Sequence, residues 1–70
     1  MSEKMVILKV RGMHCEGCAN NIGNALRAVG GVREANVNFG KKRATVVYDT
    51  EQVKQERLER AITDAGYEVE

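Results

Sequence analysis

The spacing of apolar residues restricts this chain more than any other feature. Within 70 residues it switches, twice, from every second position to every third or fourth and back. Val6, Leu8 and Val10 alternate, which predicts a strand over Met5–Val10 with those three side chains on one face. Cys18, Ile22, Ala25, Leu26 and Val29 then fall on one helical stripe, so a helix is expected over 17–29. Gly23 weakens that helix by about 1 kcal/mol relative to alanine, and Gly30-Gly31 ends it. Alternation returns over Val32–Phe39, with Ala35, Val37 and Phe39 pointing one way. Gly40-Lys41-Lys42 turns the chain into a third strand, Arg43–Tyr48, whose Ala44, Val46 and Tyr48 face inward. After a linker over 49–53, a second helix is predicted for Lys54–Ala65, with Leu58, Ala61, Ile62 and Ala65 on its buried stripe. Lys54 is a poor N-cap, and Thr50 is the alternative. Gly66 stops the helix at C′, and Tyr67–Val69 forms a short last strand.

The order is βαββαβ, two similar halves each with a glycine after its helix. It predicts an α+β, ferredoxin-like sandwich: a four-stranded antiparallel sheet with both helices on one face. No linker or low-complexity tract is visible, so residues 1–70 are expected to form one domain, near the lower size limit for a core that is stable alone. Aromatics are only 4% of the chain, so Val, Leu, Ile and Ala must build the core. No apolar run approaches the ~18 residues that cross a bilayer. The polar start, Met1-Ser2-Glu3-Lys4, leads straight into a strand pattern without a secretory signal, so a cytoplasmic protein with no direct membrane insertion is expected.

A net charge of +1 argues against a strong grip on nucleic acid. RNA-recognition domains share this architecture but stack bases on sheet-face aromatics. Here Phe39 and Tyr48 are expected inside, and Ile7, Lys9, Asn36, Asn38, Thr45 and Val47 outside, which makes no stacking platform. Lys9, Arg11 and Arg27 read as solvated charges, with docking of an acidic partner as a second reading for Arg11.

The only cysteines, Cys15 and Cys18, lie in Gly12-Met13-His14-Cys15-Glu16-Gly17-Cys18, where the first strand pattern gives way to the first helix. A disulfide there would close a very small loop and restrict the unfolded chain little. In a reducing compartment such a pair is better explained by reactivity. Thiols at a helix N-terminus feel the positive end of the dipole and free N–H groups, which lower the pKa below the free value of roughly 8.5. Structural zinc sites and iron–sulfur clusters normally take four protein ligands. Two thiols with one adjacent imidazole, His14, suit Cu(I), with Ag(I), Hg(II) or Zn(II) as other thiophilic ions. An exposed two-ligand site also leaves room for an incoming thiol. His14 reads first as a solvated loop residue, and second as a third ligand or a group titrating near its unperturbed value of about 6.5. Met13 reads as a core plug rather than a thioether ligand.

The heptapeptide Gly12–Cys18 resembles the GMxCxxC motif of the heavy-metal-associated domain, a family that includes cytosolic copper chaperones and N-terminal domains of copper-transporting P-type ATPases. The resemblance extends over the strand before the motif, Gly31-Val32, Val37-Asn38-Phe39 and Gly66-Tyr67. It implies that Cys15 and Cys18 bind the metal, that Met13 is a buried loop anchor, and that Tyr67 lies close to the site. Tyrosine there resembles bacterial and archaeal members; eukaryotic chaperones usually carry lysine. His14 departs from the commoner serine or threonine. The implied function is not enzymatic: Cu(I) would be delivered by ligand exchange to a copper-transporting P-type ATPase or a copper-responsive regulator. The carrier would be a monomer, with a metal-bridged dimer through pooled cysteines as the alternative. A thiol–disulfide oxidoreductase also places CxxC at a helix N-terminus. The absence of any proline, of an aromatic before the motif, and of thioredoxin-like element order argues against it. A metal-binding domain excised from a larger copper, zinc or mercury transporter is the other reading; Met1 and the short length favour a separate chaperone.

Overall fold

The computed structural model describes residues 2–70. Its elements are β1 (Glu3–Arg11), α1 (Glu16–Arg27), β2 (Val32–Asn38), β3 (Arg43–Asp49), α2 (Gln55–Asp64) and β4 (Glu68–Val69). The strands form one sheet in the order β2-β3-β1-β4, with every neighbouring pair antiparallel. This is the expected ferredoxin-like sandwich. Cross-strand register puts Leu8 opposite Ala44, and Val46 between Val6 and Ala35. These side chains share the covered face of the sheet, where Ile22 and Leu26 of α1 and Leu58 and Ile62 of α2 meet them to form the core. The other face is open.

Element ends differ from the side-chain pattern where backbone pairing decides them. β1 extends to Glu3 and Arg11 because it is central: Glu3 to Lys9 pair with β3, and Val10 and Arg11 pair with β4. α1 stops at Arg27, yet Val29 stays buried because its N–H bonds to the Leu26 carbonyl at 3.1 Å and keeps the chain curled under the core. Gly31, not Gly30, makes the reversal into β2, with φ +99°. Its carbonyl accepts the Asp49 N–H at 2.8 Å, and a Cβ there would lie 2.9 Å from Gln52 Cβ and 3.0 Å from Val53 Cγ1.

Four expectations are corrected. Thr50 does not cap α2. Its hydroxyl and N–H both donate to the Ser2 carbonyl, at 3.0 and 2.7 Å, while Lys54 holds the N-cap position without a side-chain bond. Ala65 is exposed as the C-cap of α2, and the buried alanine that the stripe of α1 adds is Ala19. Arg27 is more than a solvated charge, because its guanidinium donates to the Ala35 carbonyl at 3.0 Å and to Asn24 Oδ1 at 3.3 Å. It thereby covers an unpaired carbonyl of edge strand β2, a common way of blunting a sheet edge. The guanidinium packs beside Gly23, where a Cβ would meet its nitrogens at an ordinary contact distance of 3.5 Å. Finally, Asp49 ends β3 instead of opening a linker, and it is only 3% exposed. Its carboxylate accepts the Glu51 N–H at 2.9 Å and Gln52 Nε2 at 3.2 Å, which satisfies the buried charge.

Gly31→Ala is expected to cost about 1–3 kcal/mol, from a left-handed conformation and a backbone-adjacent clash. Gly30→Ala, with nothing within 4 Å of its Cβ, should be close to neutral. Urea unfolding midpoints check this; equal shifts would contradict it.

Candidate metal centre

The β1–α1 loop is held from below. Val10 is buried at the end of β1, and its N–H bonds to the Lys42 carbonyl at 2.9 Å, tying the loop to the β2–β3 hairpin. Gly12 turns the chain with φ +93°, and Met13, only 3% exposed, plugs into the core. With Met13 inward, His14 and Cys15 are left at the surface. Cys15 occupies the N-cap of α1 with extended backbone (φ −158°, ψ 170°), and its side chain makes no capping bond. Cys18, one turn on, is half-buried against the core, and its N–H bonds to the Cys15 carbonyl at 3.1 Å. Gly17 lies beside the first sulfur, where a Cβ would meet Cys15 Sγ at an ordinary contact distance of 3.6 Å.

The two sulfurs are 3.6 Å apart, and both thiols are free. A disulfide needs about 2.05 Å. A bent chelate of one ion fits this separation as it stands. Two opposed metal–sulfur bonds of about 2.3 Å each would need roughly 4.6 Å, a parting of about 1 Å that exposed Cys15 can supply by rotation. Among the described residues no group of three or more His, Cys, Asp and Glu side chains gathers to hold an ion. His14 therefore does not join the thiols in such a cluster.

Tyr67 reaches this site through the end of α2. Gly66, at φ +98°, donates to the Thr63 carbonyl at 3.0 Å, and the Tyr67 N–H donates to the Ile62 carbonyl at 3.2 Å. That paired closure is a Schellman motif with Gly66 at C′. It sends Tyr67 back beside Gly12, whose would-be Cβ lies 3.7 Å from the ring. The Tyr67 hydroxyl hydrogen-bonds Cys18, and this is the main cause that pushes the Cys18 thiol down to about 7 from 9.0. The His14 backbone lowers it next, desolvation opposes them, and the Cys15 side chain and backbone add smaller lowering bonds. Donors to sulfur thus include loop amides as well as the far end of the chain. By the same bond the Tyr67 hydroxyl holds its proton above the ordinary value, partly offset by a bond from Asn21. Sequence reasoning missed Asn21. Its signal was its position three residues after Cys18, on the same flank of α1.

The first-order expectation is that Tyr67→Phe moves the titration of Cys18 upward toward 9. Alkylation rates followed at each cysteine by mass spectrometry across pH should show the wild-type midpoint near 7 shift by at least half a unit. An unmoved midpoint would remove Tyr67 as the cause.

The heavy-metal-associated domain model matches residues 7–68. The chain is 40% identical over 63 residues to the copper chaperone CopZ of Staphylococcus epidermidis, covering 90% of this chain and 93% of that protein. It is 46% identical over 61 residues to the copper-transporting ATPase RAN1 of Arabidopsis thaliana, covering 87% of this chain but only 6% of the ATPase. To the mercuric transport protein periplasmic component of Salmonella typhi it is 39% identical over 62 residues, 89% of this chain and 68% of that protein. A solved CopZ metallochaperone superposes with a TM-score of 0.92 at 36% identity, over 96% of this chain and all of the other. With a family model across most of its length and relatives well above 30% identity, the chain belongs to the heavy-metal-associated domain family.

Proposed function

We propose that Cys15 and Cys18 bind one Cu(I) as thiolates and pass it to a partner protein by ligand exchange. The observation that carries this reading is a pair of free thiols 3.6 Å apart on an exposed loop–helix junction, one of them already acidified by neutral hydrogen-bond donors. Two thiolates and a monovalent ion leave one net negative charge, which suits the N-terminus of α1 and needs no third protein ligand. CopZ relatives support copper as the cargo, and the mercuric transport relative supports Hg(II) and similar soft ions as competitors.

Transfer proceeds through a shared complex. A partner thiolate forms a bond to copper, one Cys–copper bond breaks, and a second exchange releases the other. Copper stays Cu(I) throughout, and the freed thiolates take up protons from water below their pKa. The partner is a copper-transporting P-type ATPase or a copper-responsive regulator, and the site of action is the cytoplasm. The carrier is a monomer at working dilution, residues 1–70 acting as one domain and not as an enzyme. Pooling of cysteines from two chains on one ion is the alternative bound state. Met13 anchors the loop and Tyr67 tunes Cys18 without ligating the ion, while His14 stays in solvent.

Competition against a Cu(I) chelator under anaerobic, reducing conditions tests the assignment. Cys15→Ser and Cys18→Ser are each expected to abolish tight one-to-one binding, and an unchanged affinity in either would defeat it. His14→Ala should change affinity less than tenfold; a larger loss would make His14 a ligand. The metal competes with the proton on Cys18, so the part of the pH dependence owed to that ligand should level off above about pH 7 and weaken affinity roughly tenfold per unit below it. Running Cu(I), Zn(II) and Hg(II) side by side separates copper delivery from zinc or mercury handling.

A further inference from the structure

The open face of the sheet carries the two large apolar side chains that remain exposed among the described residues, Met5 at 61% and Ile7 at 52%. They are neighbours on the outward side of β1, a central strand, and register places half-buried Val47 and Thr45 opposite them on β3. Charge flanks this band with opposite sign at its two ends. Glu3 precedes it on β1, and Glu34 on β2 lies level with Met5 across Val47. Lys9 follows it, directly opposite Arg43. Like charges across a pair of strands are destabilising, and neither Lys9 nor Arg43 has an ion-pair partner among the described residues. Glu3 does meet Arg33 at 3.1 Å, but both side chains are about half exposed, so that pair is weak and exchangeable.

From Glu3 to Lys9 the outward side of β1 therefore reads acidic, apolar, apolar, basic. Reversed, it reads basic, apolar, apolar, acidic. A two-fold axis in the plane of the face, perpendicular to the strands, lays one β1 antiparallel over another. It brings Met5 of each chain against Ile7 of the other, and sets Glu3 of each chain over the unpartnered Lys9 of the other. We propose that this face is a self-complementary interface through which two copies of the chain associate, sheet on sheet.

The size of the patch determines how strong that association is. Three strands about 4.8 Å apart and the roughly 20 Å from Glu3 to Lys9 enclose only about 200–300 Å² on each copy. A stable complex buries about 800 Å² per partner, so this dimer dissociates on dilution and leaves the monomer of the previous section at micromolar concentration. Its geometry also separates it from any cysteine-bridged pair. The metal loop follows the basic end of β1, so the two-fold sends the two loops to opposite ends and leaves all four thiols open.

The test uses metal-free, reduced, full-length protein, in parallel with a Cys15→Ser/Cys18→Ser variant that cannot pool thiols. Sedimentation and amide chemical shifts are followed from about 20 µM to about 2 mM, spanning the range expected of a weak dimer, at low salt and at high salt. Association is expected in both proteins near the upper limit, weakened by salt as exposed ion pairs are screened. Shifts should concentrate on Met5, Ile7, Thr45 and Val47. Ile7→Lys should abolish it. Lys9→Glu should weaken it at least fivefold, and adding Glu3→Lys to that variant should restore it. The sheet-face substitutions are surface changes made with both cysteines intact, and retention of one Cu(I) per chain checks that each of them is folded; the dispersion of its amide shifts checks the double serine variant. A monomer throughout the range, association confined to the protein with intact cysteines, or Ile7→Lys associating like wild type would each overturn the proposal.

Discussion

Burial of Met13 is the contact on which the rest of the site depends. The β1–α1 loop has little regular structure of its own, and its position comes from one long, adaptable side chain seated in the core. Because Met13 points in, the next two residues must emerge, and Cys15 arrives at the N-cap of α1 with its sulfur in solvent. Cys18, one turn later, lies on the edge of the buried stripe and is held from behind by the core. One sulfur is exposed and one is braced. That asymmetry suits an ion that must be gripped and then released one bond at a time.

The electrostatics of the pair follow the same logic. Cationic side chains next to the sulfurs would stabilise thiolates, but they would also travel with the site and oppose an incoming cation. This protein acidifies Cys18 with neutral donors instead, a phenol and loop amides. Such donors favour the anion without adding charge. They also set a floor on the pH range over which the site can compete with protons, since metal binding requires the deprotonated sulfur.

Much of the fold was legible in the chain because it is written in local periods. Alternation located the three longer strands, and the 3.6-residue stripe located both helices. The spacing of Cys15 and Cys18 and their place between strand and helix were enough to bring the sulfurs together, since positions three apart share a helix face. Where the reading failed, long-range contacts had taken over. Thr50 looked like a cap but is claimed by Ser2 from the other end of the chain. Arg27 looked solvated but covers a strand carbonyl eight residues on. Ala65 kept the apolar spacing of α2 after the Gly66 closure had already ended the helix.

Sequence alone determined that two soft ligands would stand at a helix start in a βαββαβ chain, because both facts rest on neighbours along the backbone. Tertiary structure alone decided which bonds their surroundings make. Tyr67 reaches Cys18 only because a left-handed glycine folds the end of α2 back toward the loop, and Asn21 matters only once that hydroxyl has arrived. Asp49 could be buried as a charge only because the turn after β3 wraps two donors around it. Periodicity tells which face a side chain occupies; it carries no information about which distant face will be packed against it.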